Sequence, residues 1–238
     1  MTTEAVFVDD AYLRECEATV VGINDLGGII LDRTVFYPTG GGQPGDSGVL
    51  KRSNGQDVIV ATTVKGDPPG EIVHVPADGQ SPLDVGEKVA AVIDWDRRHR
   101  LMRIHTCLHL LSAVMPYPVT GGQISDGKGR LDFDLPEMPT TKEEITENLN
   151  KLVNQNLDLS FEWITDEELA ANPDLVKTMS VKPPTGQGRV RMVRVSDCDY
   201  QPCGGTHVRN TSEIGAVRVR KVEKKGKQNR RVSIEFAD

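Results

Sequence analysis

Two pairs of residues, each four apart, are the part of this sequence best suited to chemistry. His105 and His109 lie in HTCLH, and Cys203 and His207 lie in CGGTH. On a helix, residues four apart leave the same face one turn from each other, so HTCLH aims two imidazoles at one point. That is how a helix grips a zinc ion with two histidines. CGGTH has too many glycines for a helix interior. It reads as a tight turn leaving a strand, in which a thiolate and an imidazole converge. Together the pairs make a Cys/His3 shell, a donor set that zinc accepts. Three of the five histidines fall in these pairs, which supports one shared ion.

The chemistry of that ion is open at this level. A zinc protease carries its general base in HExxH, and Thr106 stands where the glutamate would be. Four protein ligands resemble a closed structural site, whereas catalytic zinc usually keeps one position free. Both roles stay available. Cys107, two residues past His105, points to the far side of the helix and is expected in the core. Cys198 is expected as a free thiol. His74 and His99 have no partner at ligand spacing and are expected at the surface.

The positioning elements follow from the sequence pattern. Up to about residue 90, AVFVDD, ATVVGIND, GGIILDRTVFYP, GVLKRS, QDVIVATTVK and EIVHVP are short β-prone runs punctuated by Gly, Asn, Asp and Pro. They predict a small barrel or sandwich. Residues 94–116 then repeat Leu101, Ile104, Leu108, Leu111 and Met115 at helical steps, with Asp94 or Asp96 as cap and Pro116 as stop. A second helix over about 141–157 starts at a capping box of Thr141 with Glu144, and a third, short one at Thr165 with Glu168. GRLDFDL, LDLSFEWIT, GRVRMVRVS and the C-terminal run read as strands, the last as a hairpin turning at Lys225–Gly226–Lys227. Helices on one side of an antiparallel sheet make this part α+β. The expected boundary is near residue 94, giving domains 1–93 and 94–238.

The bulk composition narrows the partners. The chain has 238 residues, 37% apolar and 26% charged, as in a folded globular protein. No run of eighteen apolar residues occurs, so no membrane partner is expected. The opening MTTEAVFVDD is acidic and lacks the layout of a secretion signal, which predicts a cytoplasmic protein. Net charge is −7, yet residues 218–231 hold eight Lys or Arg against Glu223 alone, a local +7 that leaves −14 elsewhere. An acidic body with one basic strip suits a polyanion docking at one place.

Four motifs in order carry a resemblance: FYPTGGGQPGDSG, DWDRRHRLMRIHTCLHLLSAV, GGQISDGKGRLDFDL and DCDYQPCGGTHVRNTSEIG. The set resembles the editing domain of alanyl-tRNA synthetase, and most closely its free-standing relatives, the AlaX proteins of medium length. The match spans nearly the whole chain. With no adenylate-forming domain ahead of it, the chain is expected not to charge tRNA. The resemblance implies an α+β fold: an N-terminal small β-barrel with a glycine-rich motif, and a zinc-containing editing domain. It implies hydrolysis of mischarged tRNA for alanine, chiefly bearing serine and also glycine, with Zn2+ on His105, His109, Cys203 and His207. It places the family's glutamine on Gln123, to bind substrate or position water, makes Thr206 a second catalytic candidate, and assigns Leu108 and Gly205 to the substrate pocket, with Gly41, Gly42 and Gln43 either lining that pocket or forming a rigid hairpin turn. The synthetase form reads HTATH, with a threonine where this chain has Leu108, so amino-acid preference is left open. The rival readings are a zinc-stapled tRNA-binding module without catalysis and a deacylase for another mischarged tRNA.

GGGQPG, 40–45, satisfies G-x-G-x-x-G literally, but Pro44 and the following GDSGVL read as turn and strand. No helix N-terminus is there to hold a pyrophosphate, so no dinucleotide cofactor is expected. For RNA contact the expected residues are Arg218, Arg220, Lys221, Lys224, Lys225, Lys227, Arg230 and Arg231, with RRHR at 97–100 as a second basic cluster. Alternation along the hairpin lets part of the strip face one side.

Overall fold

The computed structural model describes residues 2–178 and 188–237. The chain forms two compact units, Met1–His99 and Arg100–Asp238.

The first unit is a closed antiparallel barrel. Its strands are β2 (Glu15–Ile23), β3 (Ile29–Leu31), β5 (Gly48–Arg52), β6 (Val58–Lys65), β7 (Ile72–Pro76) and β8 (Lys88–Ile93), in the order β2-β3-β7-β6-β5-β8. Outside it, β1 (Glu4–Ala5) pairs in parallel with β4 (Arg33–Thr34). Alternation fills the interior: Val58 and Val60 of β6 point in, and Ile59 between them is 51% exposed.

Two strand expectations are corrected. AVFVDD is strand only to Ala5, and Val6–Val8 is a 3-10 turn. Val6 and Phe7 are consecutive and both buried, which a strand's alternation forbids and a turn permits. GGIILDRTVFYP breaks at Asp32, whose carboxylate accepts from the backbone of Thr19 and Arg33. Val35, Phe36 and Tyr37 then run on as buried irregular chain.

His74 is not a surface residue. It is fully buried on β7, its Nε2 2.8 Å from Thr34 Oγ1 and its Nδ1 3.0 Å from the Ile29 carbonyl. Burial disfavours its charged form and lowers its pKa to about 4, so it is neutral near pH 7. The basic cluster at 97–100 is also corrected. Arg98 is fully buried and donates to Asp46 and to the carbonyls of Ala11 and Val35. Arg97 donates to the Gly45 carbonyl and Arg100 to Asp126.

The glycine motif makes a hairpin turn, followed by strand β5. Gly40 and Gln43 exchange backbone hydrogen bonds of 3.0 and 2.9 Å, and Gly41 and Gly42 between them have φ of +57° and +81°. Glycine takes that conformation without steric cost. Gly45 answers a different need, since a Cβ there would lie 1.9 Å from the Thr63 carbonyl oxygen.

Helix α1 (Trp95–Val114) crosses the division between the units. Asp94 accepts from the Arg97 backbone at its start. Leu101, Ile104, Leu108, Leu111 and Met115 are all buried, and so are Met102, Cys107 and Leu110, so the helix is covered on most sides.

In the second unit, β9 (Val119–Ser125) and β10 (Lys128–Asp134) form a hairpin around Asp126–Gly127, a type of turn that favours Gly at positive φ. With β14 (Val217–Lys224) and β15 (Asn229–Phe236) they make a sheet of order β14-β15-β10-β9. A Cβ on Gly129 would meet Ile104 Cγ2 at 2.7 Å, so α1 lies against this strand. Helix α2 (Lys142–Asn154) has the expected Thr141/Glu144 capping box, buries Ile145, Leu149 and Val153, and is tied to β14 through Asn150 and Thr146. A separate sheet of order β11-β12-β13 holds β11 (Leu159–Thr165), β12 (Arg189–Val195) and β13 (Asp199–Pro202), with α3 (Asp166–Ala171) after β11. The fold is the α+β arrangement expected: barrel, antiparallel sheets and helices. Among the described residues no helix is long and apolar enough to cross a membrane.

Candidate metal centre

The two short motifs meet. His105 and His109 leave one face of α1 with ring centroids 5.4 Å apart. The turn after β13 brings His207 to 4.1 Å from the first ring and 4.6 Å from the second. Cys203 Sγ is 3.4 Å from His105 Nε2 and 3.3 Å from His207 Nε2. One ligand atom from each of the four residues lies within 4.8 Å of the other three. An edge between sulfur and nitrogen in a tetrahedral zinc shell is about 3.6 Å from the usual bond lengths. The cluster therefore fits a metal ion in both donor chemistry and size.

Neighbouring groups fix the shape of the turn. Arg191 on β12 donates from Nη1 to the carbonyls of Cys203 (3.1 Å) and Gly205 (2.9 Å), pinning both ends of the glycine pair. The Cys203 backbone donates back to the Arg191 carbonyl. Thr106 Oγ1, on α1, lies 3.2 Å from His207 Nδ1 and accepts from the Val208 backbone. His109 Nδ1 lies 2.8 Å from Asp199 Oδ2, which also accepts from Gln201, while Lys177 holds the other carboxylate oxygen at 2.6 Å. With Nδ1 engaged in this way, His109 turns Nε2 toward the cluster.

A thiolate and a neutral imidazole are the forms that bind a metal, and the surroundings favour both at Cys203 and His207. Burial works against the Cys203 thiolate, but the imidazoles of His105 and His207 outweigh it and hold the thiol well below its ordinary range. Burial and the neighbouring His105 push His207 well below the usual histidine value. Burial alone would lower His109, yet its hydrogen bonds to Asp199 and Cys203 lift it to about 10. Burial opposes the Asp199 carboxylate too, but His109 and Lys177 hold it at about 2. Cys107 and Cys198 differ, since burial raises their thiols to about 12 and about 11. Cys107 is core, as expected, and all four cysteines are free of disulfides.

Thr206 and Gly205 are buried inside the turn. Leu108 packs against Gly129 of β10. Gln123 lies on β9. It pairs with Arg130 and accepts a 3.2 Å hydrogen bond from it, whereas Gly129, which faces α1, pairs with Ile124. Alternation puts Gln123 on the sheet face away from α1. Gly41, Gly42 and Gln43 belong to the first unit, where Gln43 is buried. His99 stacks on Trp95 at 5.4 Å.

On the basic hairpin, Arg218 and Arg220 reach Glu235, Lys221 and Lys225 reach Glu223, and Arg231 reaches Asp132. Arg218, Arg220, Lys221, Lys224, Lys225 and Lys227 are exposed. Arg230 is corrected: it is 8% exposed and donates to the carbonyls of its own turn, so it offers no charge to a polyanion.

The sequence reading passed over Asp199, Lys177, Gln201 and Arg191. A signal existed for two of them. In DCDYQPC, Asp199, Gln201 and Cys203 alternate, so a strand puts all three on one face.

Comparison with known proteins shows the family. Residues 190–233 match the second additional domain of threonyl and alanyl tRNA synthetases, and residues 4–97 match the class II (A) tRNA synthetases. The alanyl-tRNA editing protein AlaX-M of Saccharolobus solfataricus is 39% identical over 235 residues, covering 97% of each chain. The AlaX-M of Methanosarcina acetivorans is 34% identical over 244 residues, covering 99% of this chain and 100% of its own. The alanine–tRNA ligase of Pyrobaculum neutrophilum is 34% identical over 232 residues, which span 25% of that enzyme. Full-length similarity at this level shows that the chain belongs to the AlaX family of alanyl-tRNA editing proteins, in its medium-length AlaX-M form.

Proposed function

We propose that the protein is a trans-editing deacylase that hydrolyses the ester joining serine, and secondarily glycine, to the tRNA for alanine. We further propose that His105, His109, Cys203 and His207 hold Zn2+. The observation that carries this is the convergence of these four ligand atoms within 4.8 Å in a chain whose relatives are alanyl-tRNA editing proteins.

An aminoacyl ester is already activated, so its hydrolysis asks for a placed water and support for the developing oxyanion. Bound zinc would supply a Lewis acid that polarises a carbonyl or lowers the pKa of water, or an anchor for the substrate's amino or hydroxyl group. The chain's own residues set the stage. Asp199 accepts a hydrogen bond from His109 Nδ1, which leaves Nε2 facing the cluster, and His109 and Lys177 keep Asp199 ionised. Thr106 stands in the same relation to His207. Arg191 fixes the carbonyls on either side of Gly204. Thr206, between the two ligands of the turn, is assigned to hydrogen-bond the substrate. The exposed cations of β14 and its turn are assigned to tRNA phosphates.

The selectivity has a physical basis. Serine is alanine plus a hydroxyl, and a synthesis pocket rejects such an addition by a factor of only about 10² in comparable cases. A second site that favours the hydroxyl supplies the remainder for serine.

The test is a panel of aminoacyl-tRNAs headed by Ser-tRNA(Ala). Free serine should appear, and should vanish in folded His105→Ala and Cys203→Ala variants. An unchanged ester lifetime beside tight tRNA binding would replace this reading with a zinc-stapled RNA-binding module.

A further inference from the structure

The sheet that carries the metal turn has an outer margin that the editing reading leaves unexplained. Asp199 and Gln201 of β13 point toward His109. In the ladder Gln201 pairs with Val193, Val193 with Phe161, and Arg191 with Trp163. Paired residues share a face, so Phe161 and Trp163 on the edge strand β11 share the face of the metal ligands' supports.

Both rings are open. Phe161 is 40% and Trp163 46% exposed, and among the described residues they are the exposed large apolar side chains that are aromatic. Each is backed by a cation. Arg191 sits 4.3 Å from the Phe161 ring centre and Arg189 sits 4.5 Å from that of Trp163. Arg191 is itself anchored on the carbonyls of the metal turn. The platform also starts at the cluster, for the Phe161 and His207 ring centres are 6.4 Å apart.

We propose that Phe161 and Trp163 are the stacking platform for the unpaired 3′-terminal nucleotides of the RNA whose ester lies at the metal cluster. The proposal rests on the editing reading for its substrate. Two flat rings two residues apart on one strand face suit consecutive unpaired bases, and the exposed Arg189 guanidinium suits a phosphate that links them. Sequence tolerance is expected, because every base has a π-face.

Steady-state deacylation of Ser-tRNA(Ala) by Phe161→Leu and Trp163→Leu tests this, with Phe161→Tyr as the conservative control. Loss of one stacked base should raise KM about 5- to 100-fold. The loss should fall on KM rather than kcat, bound metal should stay at the wild-type ratio, and the tyrosine variant should keep a near-wild-type KM. Anisotropy of a labelled RNA tetranucleotide ending in CCA gives a second readout that needs no chemistry. Its affinity should fall in the leucine variants by a similar factor. Wild-type KM in both leucine variants, beside intact hydrolysis, overturns the platform and leaves the editing reading standing. Absent hydrolysis in the wild type, with tetranucleotide binding that depends on the two rings, sinks the editing reading and leaves the platform. A leucine variant that converts a dimer to a monomer at unchanged KM makes β11 a contact between copies, and also overturns the proposal.

Discussion

Asp199 Oδ2 lies 2.8 Å from His109 Nδ1, with Lys177 Nζ 2.6 Å from the other carboxylate oxygen. A carboxylate behind a metal-ligating imidazole fixes its tautomer and raises its basicity. Asp199→Asn keeps the shape and removes the charge. Metal affinity, read by chelator competition, should fall about 10- to 100-fold while the fold is retained. Wild-type affinity in that variant would show that the carboxylate serves packing alone.

Metal removal should also register in stability. Cys203 comes from a turn and the histidines at 105 and 109 from a distant helix, so an ion joining them ties together segments about a hundred residues apart. An ion that binds the folded chain alone stabilises it by mass action. Thermal unfolding of the metal-loaded protein should therefore drop on chelation, and Cys203→Ala should erase the difference. An equal Tm with and without chelator would argue that no ion is bound.

The core of this site was legible because helical periodicity and the CGGTH turn each act locally. Two histidines four apart on an apolar repeat fix their own direction, and Gly204 and Gly205 announce a turn. The supports were not legible, because they depend on pairing. Arg191 becomes the clamp of the turn only once β12 lies beside β13, and Lys177 reaches Asp199 from outside both strands. The error over His74 has a similar origin. A lone histidine in EIVHVP looks like a surface residue until Thr34 and the Ile29 carbonyl arrive from other strands. The face of Gln123 was not legible either, since a shift of one residue along β9 moves a side chain to the other face.

His74 makes the first unit sensitive to acid. Its folded pKa is about 4 against an ordinary 6.5, so between these values the unfolded chain binds the proton and the folded one does not. Stability should thus fall as pH drops below 6.5 and level off below 4, by about 3 kcal/mol in all. Urea titrations across that range should show the slope, and His74→Gln should flatten it. A slope that persists in the glutamine variant would assign it to other groups.

The two ends of the glycine motif should respond differently to one methyl group. A Cβ on Gly45 meets backbone at 1.9 Å, whereas at Gly41 nothing lies within 4 Å and only the φ of +57° resists. Gly45→Ala should cost on the order of 3–5 kcal/mol, as severe steric changes do. Gly41→Ala should cost about 1 kcal/mol, the penalty of a left-handed backbone. Chemical denaturation of the two variants compares them directly, and equal losses would contradict the separation of contact from conformation.

The basic hairpin gives a prediction that separates charge from structure. Lys224 and Lys227 are exposed, while Arg230 of the same hairpin is buried against its turn. If the strip meets phosphates, each contact releases a counterion, and the logarithm of tRNA affinity falls linearly with the logarithm of salt. Lys224→Ala should then reduce the magnitude of that slope by about 1 and weaken binding to every tRNA alike. Arg218→Ala should do less, because Glu235 at 2.7 Å already offsets part of its charge. Arg230→Ala should leave the salt slope unchanged and instead lower Tm, through the lost hydrogen bonds to Gly226 and Asn229. Filter binding at several salt concentrations reads the slopes. A slope that moves with Arg230 and not with Lys224 would place the polyanion on another face.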